Sequence, residues 1–144
     1  AADVGALWRA PRAQWRLSGT YTHVLEREQT LPAGTSVLRN VAEDKANVTL
    51  VYAPSRALSL RTNMRWVAGV WDQDFSAGLV FTGGRGGLFE YPSFVVWDLS
   101  ASYRIRDSHT VSLSVDNVFD RFYYEKNDYP MAGRSFTARY AIRF

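Results

Sequence analysis

Residues 134–144 read Arg-Ser-Phe-Thr-Ala-Arg-Tyr-Ala-Ile-Arg-Phe. Phe136, Ala138, Tyr140, Ile142 and Phe144 fall on one side of an extended chain, and Ser135, Thr137, Arg139 and Arg143 on the other. Ala141 is the single apolar residue in the second set. A period of two means β-strand, with one apolar and one polar face. Chain ends are ordinarily polar and frayed; this one keeps its pattern to a terminal aromatic, so the strand is expected to be a working part of the fold.

The pattern recurs upstream. Leu58, Leu60, Thr62, Met64, Trp66, Ala68 and Val70 oppose Ser59, Arg61, Asn63 and Arg65. Val95, Trp97, Leu99, Ala101, Tyr103 and Ile105 oppose Asp98, Ser100, Ser102 and Arg104, and Val111, Leu113 and Val115 oppose Ser112, Ser114 and Asp116. Weaker alternation runs through Trp15–Thr22, through Val48, Leu50 and Tyr52, and partly through Val4–Arg9. The reading is about seven strands and no helical period.

The connections alternate in length. Residues 9–12, 53–56 and 106–108 are short polar turns; residues 27–45, 73–93 and 120–133 are long. A soluble sandwich imposes no such order. A membrane barrel does, with short turns on the periplasmic side and long loops outside. Segments 57–71, 94–105 and 134–144 also reach the roughly 9–11 residues a tilted spanning strand needs. Aromatic residues gather near strand ends (Trp15, Tyr52, Trp71, Phe94, Tyr103, Phe144), as girdles at the two membrane boundaries would require. The expected fold is all-β, an antiparallel up-and-down transmembrane β-barrel.

Composition narrows the function. The 144 residues carry a formal charge of +3, but the cations are spread along the chain, against a nucleic-acid face. With no cysteine, disulfides and thiolate metal sites are excluded. The Gly-rich stretch 81–89 lacks the Gly-Lys-Ser/Thr ending of a phosphate loop and reads as an external loop. His23 and His109 have no metal-ligand spacing in sequence, and neither a nucleophile motif nor a carboxylate pair suggests catalysis. No metal, cofactor or enzymatic activity is expected.

Asn117-Val118-Phe119-Asp120, Tyr123-Tyr124, Tyr129-Pro130-Met131-Ala132-Gly133-Arg134 and a last strand closing on Phe144 together resemble the C-terminal end of TonB-dependent outer-membrane receptors. Trp97–Tyr103 resembles that family's antepenultimate strand. The resemblance is strong over residues 91–144 and unspecific before them. Val115 facing lipid would put Asn117 there too, so a bulge near Asp116 and Asn117 is expected, with turn chemistry rather than ligand contact as the role of the Asn and Asp.

The resemblance implies a 22-strand barrel with a plugged lumen, of which residues 1–144 would be the C-terminal portion without the plug. It implies uptake of a ferric siderophore or another bulky nutrient such as cobalamin or haem, energised by TonB. Implied partners are outer-membrane lipid, the rest of the barrel, the plug, TonB through an N-terminal region, and the barrel-assembly machinery through the last strand. Family-motif residues are Asn117, Phe119, Asp120, Gly133, Arg134 and Phe144. Candidate ligand contacts on the long connections are Trp71, Asp72, Asp74, Arg85, Tyr91, Tyr123, Tyr124 and Tyr129; inward Arg61, Arg65, Asp98, Arg104, Arg139 and Arg143 make a mixed-charge wall. Two other readings stand beside this one: a passive porin-like or autotransporter barrel, and a soluble all-β binding domain.

Overall fold

The structure, a computed structural model, describes residues 1–10, 13–25, 28–31, 34–74, 87–126 and 129–144. Its strands are β1 (Ala2–Ala10), β2 (Ala13–His23), β3 (Glu28–Leu31), β4 (Gly34–Val37), β5 (Ala42–Ala53), β6 (Leu58–Asp74), β7 (Gly87–Tyr91), β8 (Phe94–Arg106), β9 (His109–Asp116), β10 (Tyr124–Lys126), β11 (Tyr129–Pro130) and β12 (Ser135–Ile142). One antiparallel sheet follows the path β1-β2-β5-β6-β8-β9-β12, with β7 paired to the far end of β6. Every neighbour on the path is the next long strand in the chain. That is the up-and-down order expected, laid out as an open sheet of eight strands. The pairs β3-β4 and β10-β11 form small separate hairpins inside connections that the sequence reading left without structure.

Register sorts the faces. One cross-strand row joins Leu17, Leu50, Thr62, Leu99, Val115 and Phe136. The adjacent row joins Arg16, Val51, Arg61, Ser100, Ser114 and Thr137. A slip of one residue in any strand would exchange the two sets, so the pattern itself fixes the pairing. Thr62 is the polar member of the apolar row. Its hydroxyl receives the Trp97 Nε1–H and donates to the Asp98 carbonyl at 3.3 Å, so its polar atom is satisfied within the sheet.

Nothing covers the apolar face among the described residues. Leu99 is 45% exposed, Leu113 56% and Phe136 74%, and no described side chain falls below 2%. A soluble domain of this length would bury most of such surface; a sheet whose apolar face meets hydrocarbon would not. Outside Asp72 and Asn117, the buried side chains are Ala42, Val67, Phe89, Tyr91, Phe94, Val96 and Tyr123, and none belongs to the apolar row just traced. Among the described residues no helix is long and apolar enough to cross a membrane.

The alternation changes phase at Gly69. Val67 pairs with Phe94 and Val70 with Tyr91, leaving Gly69 and Pro92 in the gap between β8 and β7. Pro92 has no N–H to give a ladder, and Gly69 takes φ 65°, which favours glycine. Inward positions change phase across the gap: Val67 and then Val70 and Asp72 on β6, Phe94 and Val96 against Tyr91 and Phe89 on its partner. Two expectations are thereby corrected. Val70 packs against the inward cluster of Ala42, Val67, Phe94, Val96 and Tyr123 instead of sharing the face of Leu60, and Phe94, 4% exposed, belongs to that cluster and not to an outer girdle.

Candidate functional site

The inward cluster lies at the end of the sheet that carries the long connections. Arg65 organises it from the wall. On β6 it shares a face with Val67 and sits opposite Val96, and its guanidinium reaches across to the segment that follows β9. One nitrogen forms an ion pair with Glu125, and the other donates to the Tyr123 hydroxyl at 3.1 Å. The same group lies 5.8 Å from the ring centres of both Phe94 and Tyr123. Those rings are 4.4 Å apart. A planar cation set beside this ring pair and against a carboxylate is held by cation–π and fork-like hydrogen bonding at once. Burial raises the Tyr123 hydroxyl above its ordinary pKa, with Arg65 opposing that shift.

Asn117 anchors the base of the same segment. It is 3% exposed, and its φ of 50° places it in the left-handed region that Asn tolerates better than most residues. Its side-chain amide donates to the Arg121 carbonyl at 2.9 Å and to the Ala132 carbonyl at 3.3 Å, while its oxygen accepts the Arg121 N–H at 2.8 Å. Asp98 on the wall accepts the Asn117 N–H at 2.9 Å. The β8–β9 register would set Asn117 opposite Trp97, yet it is the Val118 N–H that donates to the Trp97 carbonyl, at 2.8 Å. The extra residue that the sequence calls for is therefore taken up at the strand exit, and Asn117 turns inward while Phe119 meets Trp97 edge to face on the outside.

Asp120 and Gly133 close the knot. Asp120 also has positive φ, 54°, and its carboxylate accepts the Arg134 N–H at 2.7 Å. A Cβ on Gly133 would stand 2.7 Å from that carboxylate oxygen, which is why glycine precedes the arginine. Arg134 returns a hydrogen bond to the Val118 carbonyl at 3.4 Å. The Asn117, Asp120, Gly133 and Arg134 set thus ties the exit of β9 to the entry of β12. Phe144 is fully exposed.

The candidate ligand contacts separate. Asp72, 7% exposed, accepts the Tyr91 hydroxyl at 3.0 Å, and Tyr91 stacks towards Tyr124 at 6.4 Å. Tyr123 is buried against Phe94, and Tyr129 is exposed beneath the Lys126 ammonium. Trp71 is on β6 opposite Glu90. Arg85 and the side chain of Asp74 lie outside the described residues. A hollow of 420 Å³ opens between this cluster and the wall, lined in part by Thr20, Thr22, Lys45, Asn47, Arg65 and Tyr124. Lys45 and Asn47 were not singled out in the sequence; pairing of β2 with β5 and β5 with β6 is what sets them beside Thr22, Thr20 and Arg65. The hollow offers Lys45, an Arg65–Glu125 ion pair, hydroxyls and an amide to a polar group, and its lining contains no nucleophile–base pair.

The profile of the family described as TonB dependent receptor-like, beta-barrel, matches residues 2–118. The metal-pseudopaline receptor CntO of Pseudomonas aeruginosa is 28% identical over 122 residues, 79% of this chain and 16% of that protein. Among solved structures, the ferripyoverdine receptor of the Pseudomonas aeruginosa outer membrane superposes with a TM-score of 0.66 at 22% identity, over 93% of this chain and 18% of that one. A variant of the ferric enterobactin receptor from the same organism gives 0.67 at 17% identity, over 99% and 22%. The chain spans less than a quarter of the length of each. At these identities the solved structures speak for the fold alone.

Proposed function

This chain belongs to the TonB-dependent receptor β-barrel family, a family of non-catalytic outer-membrane transport receptors, and on that premise we propose that it supplies a C-terminal stretch of barrel wall and loops for the uptake of a metal chelate. The observation that carries the proposal is the face-sorted meander: one side apolar and uncovered, the other lined with Arg16, Arg61, Ser100 and Ser114. The full barrel would close through the edges of β1 and β12, with lipid outside and the plug domain within. Its position towards the C-terminal end of the barrel rests on the motif from Asn117 to Arg134.

A metal chelate is favoured over cobalamin or haem because the sequence relative named above is a receptor for metal-pseudopaline. Lys45, beside an Arg65 already paired with Glu125, would supply the hollow's cation to an anionic cargo. Asp72, Tyr91, Tyr124 and the hollow beside them are the part of the wall nearest the long connections and would line the approach. TonB would act through a segment outside these residues.

The test is growth of a strain lacking the full-length gene on single chelated-metal sources, repeated with TonB removed. The proposal expects loss of growth on at least one metal chelate in both strains. Growth that depends on the gene but not on TonB would favour a passive pore, and normal growth on every metal chelate would refute the cargo class.

A further inference from the structure

We propose a divalent transition-metal site at the loop end of β2 and β5, formed by His23, Glu43 and Asp44. His23 is the last residue of β2 and pairs directly with Asp44 on β5. One donor atom from each of the three residues lies within 4.8 Å of the other two, and His23 Nδ1 is 2.8 Å from an Asp44 oxygen. The backbone holds this end together: the Val24 N–H donates to the Glu43 carbonyl at 2.9 Å.

The chemistry of the set selects the ion. One imidazole and two carboxylates suit zinc and its neighbours, whereas calcium and magnesium prefer oxygen alone. Metal–ligand bonds of about 2.0–2.2 Å set tetrahedral donors roughly 3.4 Å apart, so the wider spacing in the set closes while the His23–Asp44 hydrogen bond opens, which rotation of these part-exposed side chains allows; His23 is 40% exposed and Asp44 21%. Three protein donors leave a fourth position open to water or an outside ligand. Tyr21 supports the arrangement, its hydroxyl donating to the Asp44 oxygen at 2.6 Å. Such a carboxylate neighbour orients a metal ligand from behind.

The place is informative as well. On this face β2 and β5 present Trp15, Leu17, Val48, Leu50 and Tyr52, and the series turns polar only at Tyr21, His23 and Asp44. A metal ion held by His23, Glu43 and Asp44 cross-links β2 and β5 where the apolar series ends. The site stands apart from the inward hollow, and does not depend on the transport reading.

The experiment uses the full-length receptor in detergent, stripped of metal and dialysed against Zn²⁺. Native protein should hold one more equivalent than His23→Gln, Glu43→Gln or Asp44→Asn. In the native protein, which needs no variant to fold, Zn²⁺ should slow carbethoxylation of His23 at least tenfold and leave His109 unchanged, read by peptide mass spectrometry. Equal stoichiometry in all four proteins, or labelling of His23 indifferent to Zn²⁺, overturns the site.

Discussion

Replacing Asn117 with Ala removes the side chain on which the segment 117–134 turns. Three hydrogen bonds disappear, to Arg121 twice and to Ala132 once. At roughly 0.5–1.5 kcal/mol each, their loss costs about 2–4 kcal/mol. Ala in the left-handed conformation at φ 50° adds roughly 1 kcal/mol. The sum, about 3–5 kcal/mol, corresponds to roughly two to three and a half orders of magnitude in a local opening equilibrium, at about 1.4 kcal/mol per factor of ten. Hydrogen exchange by mass spectrometry on the full-length receptor measures it: amide protection in peptides covering 117–134 should fall at least a hundredfold, while β5 and β6 keep theirs. Asn117→Gly relieves the backbone but not the bonds, and should recover only the smaller share. Protection within threefold of native in Asn117→Ala would refute the reasoning, because the knot would then not depend on its central side chain.

Gly133→Ala places a methyl 2.7 Å from the Asp120 carboxylate; it should loosen the Arg134 amide, and Asp120→Ala in the same chain should reduce the added damage, with a coupling of roughly 0.5–3 kcal/mol in a double-mutant cycle. Arg65→Ala removes the contacts to Glu125 and Tyr123, so limited proteolysis should cut between β10 and β11 several-fold faster without weakening the sheet. Leu99→Arg on the apolar face should destabilise the refolded receptor in vesicles by about 2–4 kcal/mol, whereas Ser100→Arg, one residue on but facing inward, should stay within about 0.5 kcal/mol as an ordinary surface change. Because burial holds the Tyr123 proton on, the folded protein binds that proton more tightly than the unfolded chain. The associated stability is present below pH 10 and is lost as pH rises through the folded value; urea midpoints above pH 10 should fall less for Tyr123→Phe than for the native protein.

The sheet was legible because alternation is a local property that pairing only has to respect. Leu99 and Ser100 announce opposite faces before any partner is known, and the short turns at 53–56 and 106–108 leave adjacent antiparallel strands as the natural outcome. The phase change at Gly69 was not legible, since a lone glycine in a strand has several uses and only the φ of 65° and the facing Pro92 distinguish this one. That phase change is why Val70 lies inward, whereas Phe94 lies inward by the β8 alternation itself, with Val95 and Trp97 facing out. The site fared similarly. Asp72, Tyr91, Tyr123 and Tyr124 do gather near the long connections, but Arg65 was read only as one of several inward cations, because its partner Glu125 is distant in sequence. Lys45 and His23 became neighbours of other functional groups through strand register, which sequence spacing does not carry.

The central claim is that the uncovered face of this sheet meets hydrocarbon. Single cysteines placed along β8 from Val96 to Tyr103 in the full-length receptor, spin-labelled and reconstituted in vesicles, test it by collision with oxygen, which concentrates in lipid, and with a water-soluble nickel chelate. The account predicts a period of two, with oxygen reaching labels at 97, 99, 101 and 103 far better than those at 96, 98, 100 and 102. Labels that lack this alternation, or that sit shielded from oxygen at 97, 99 and 101, would contradict it.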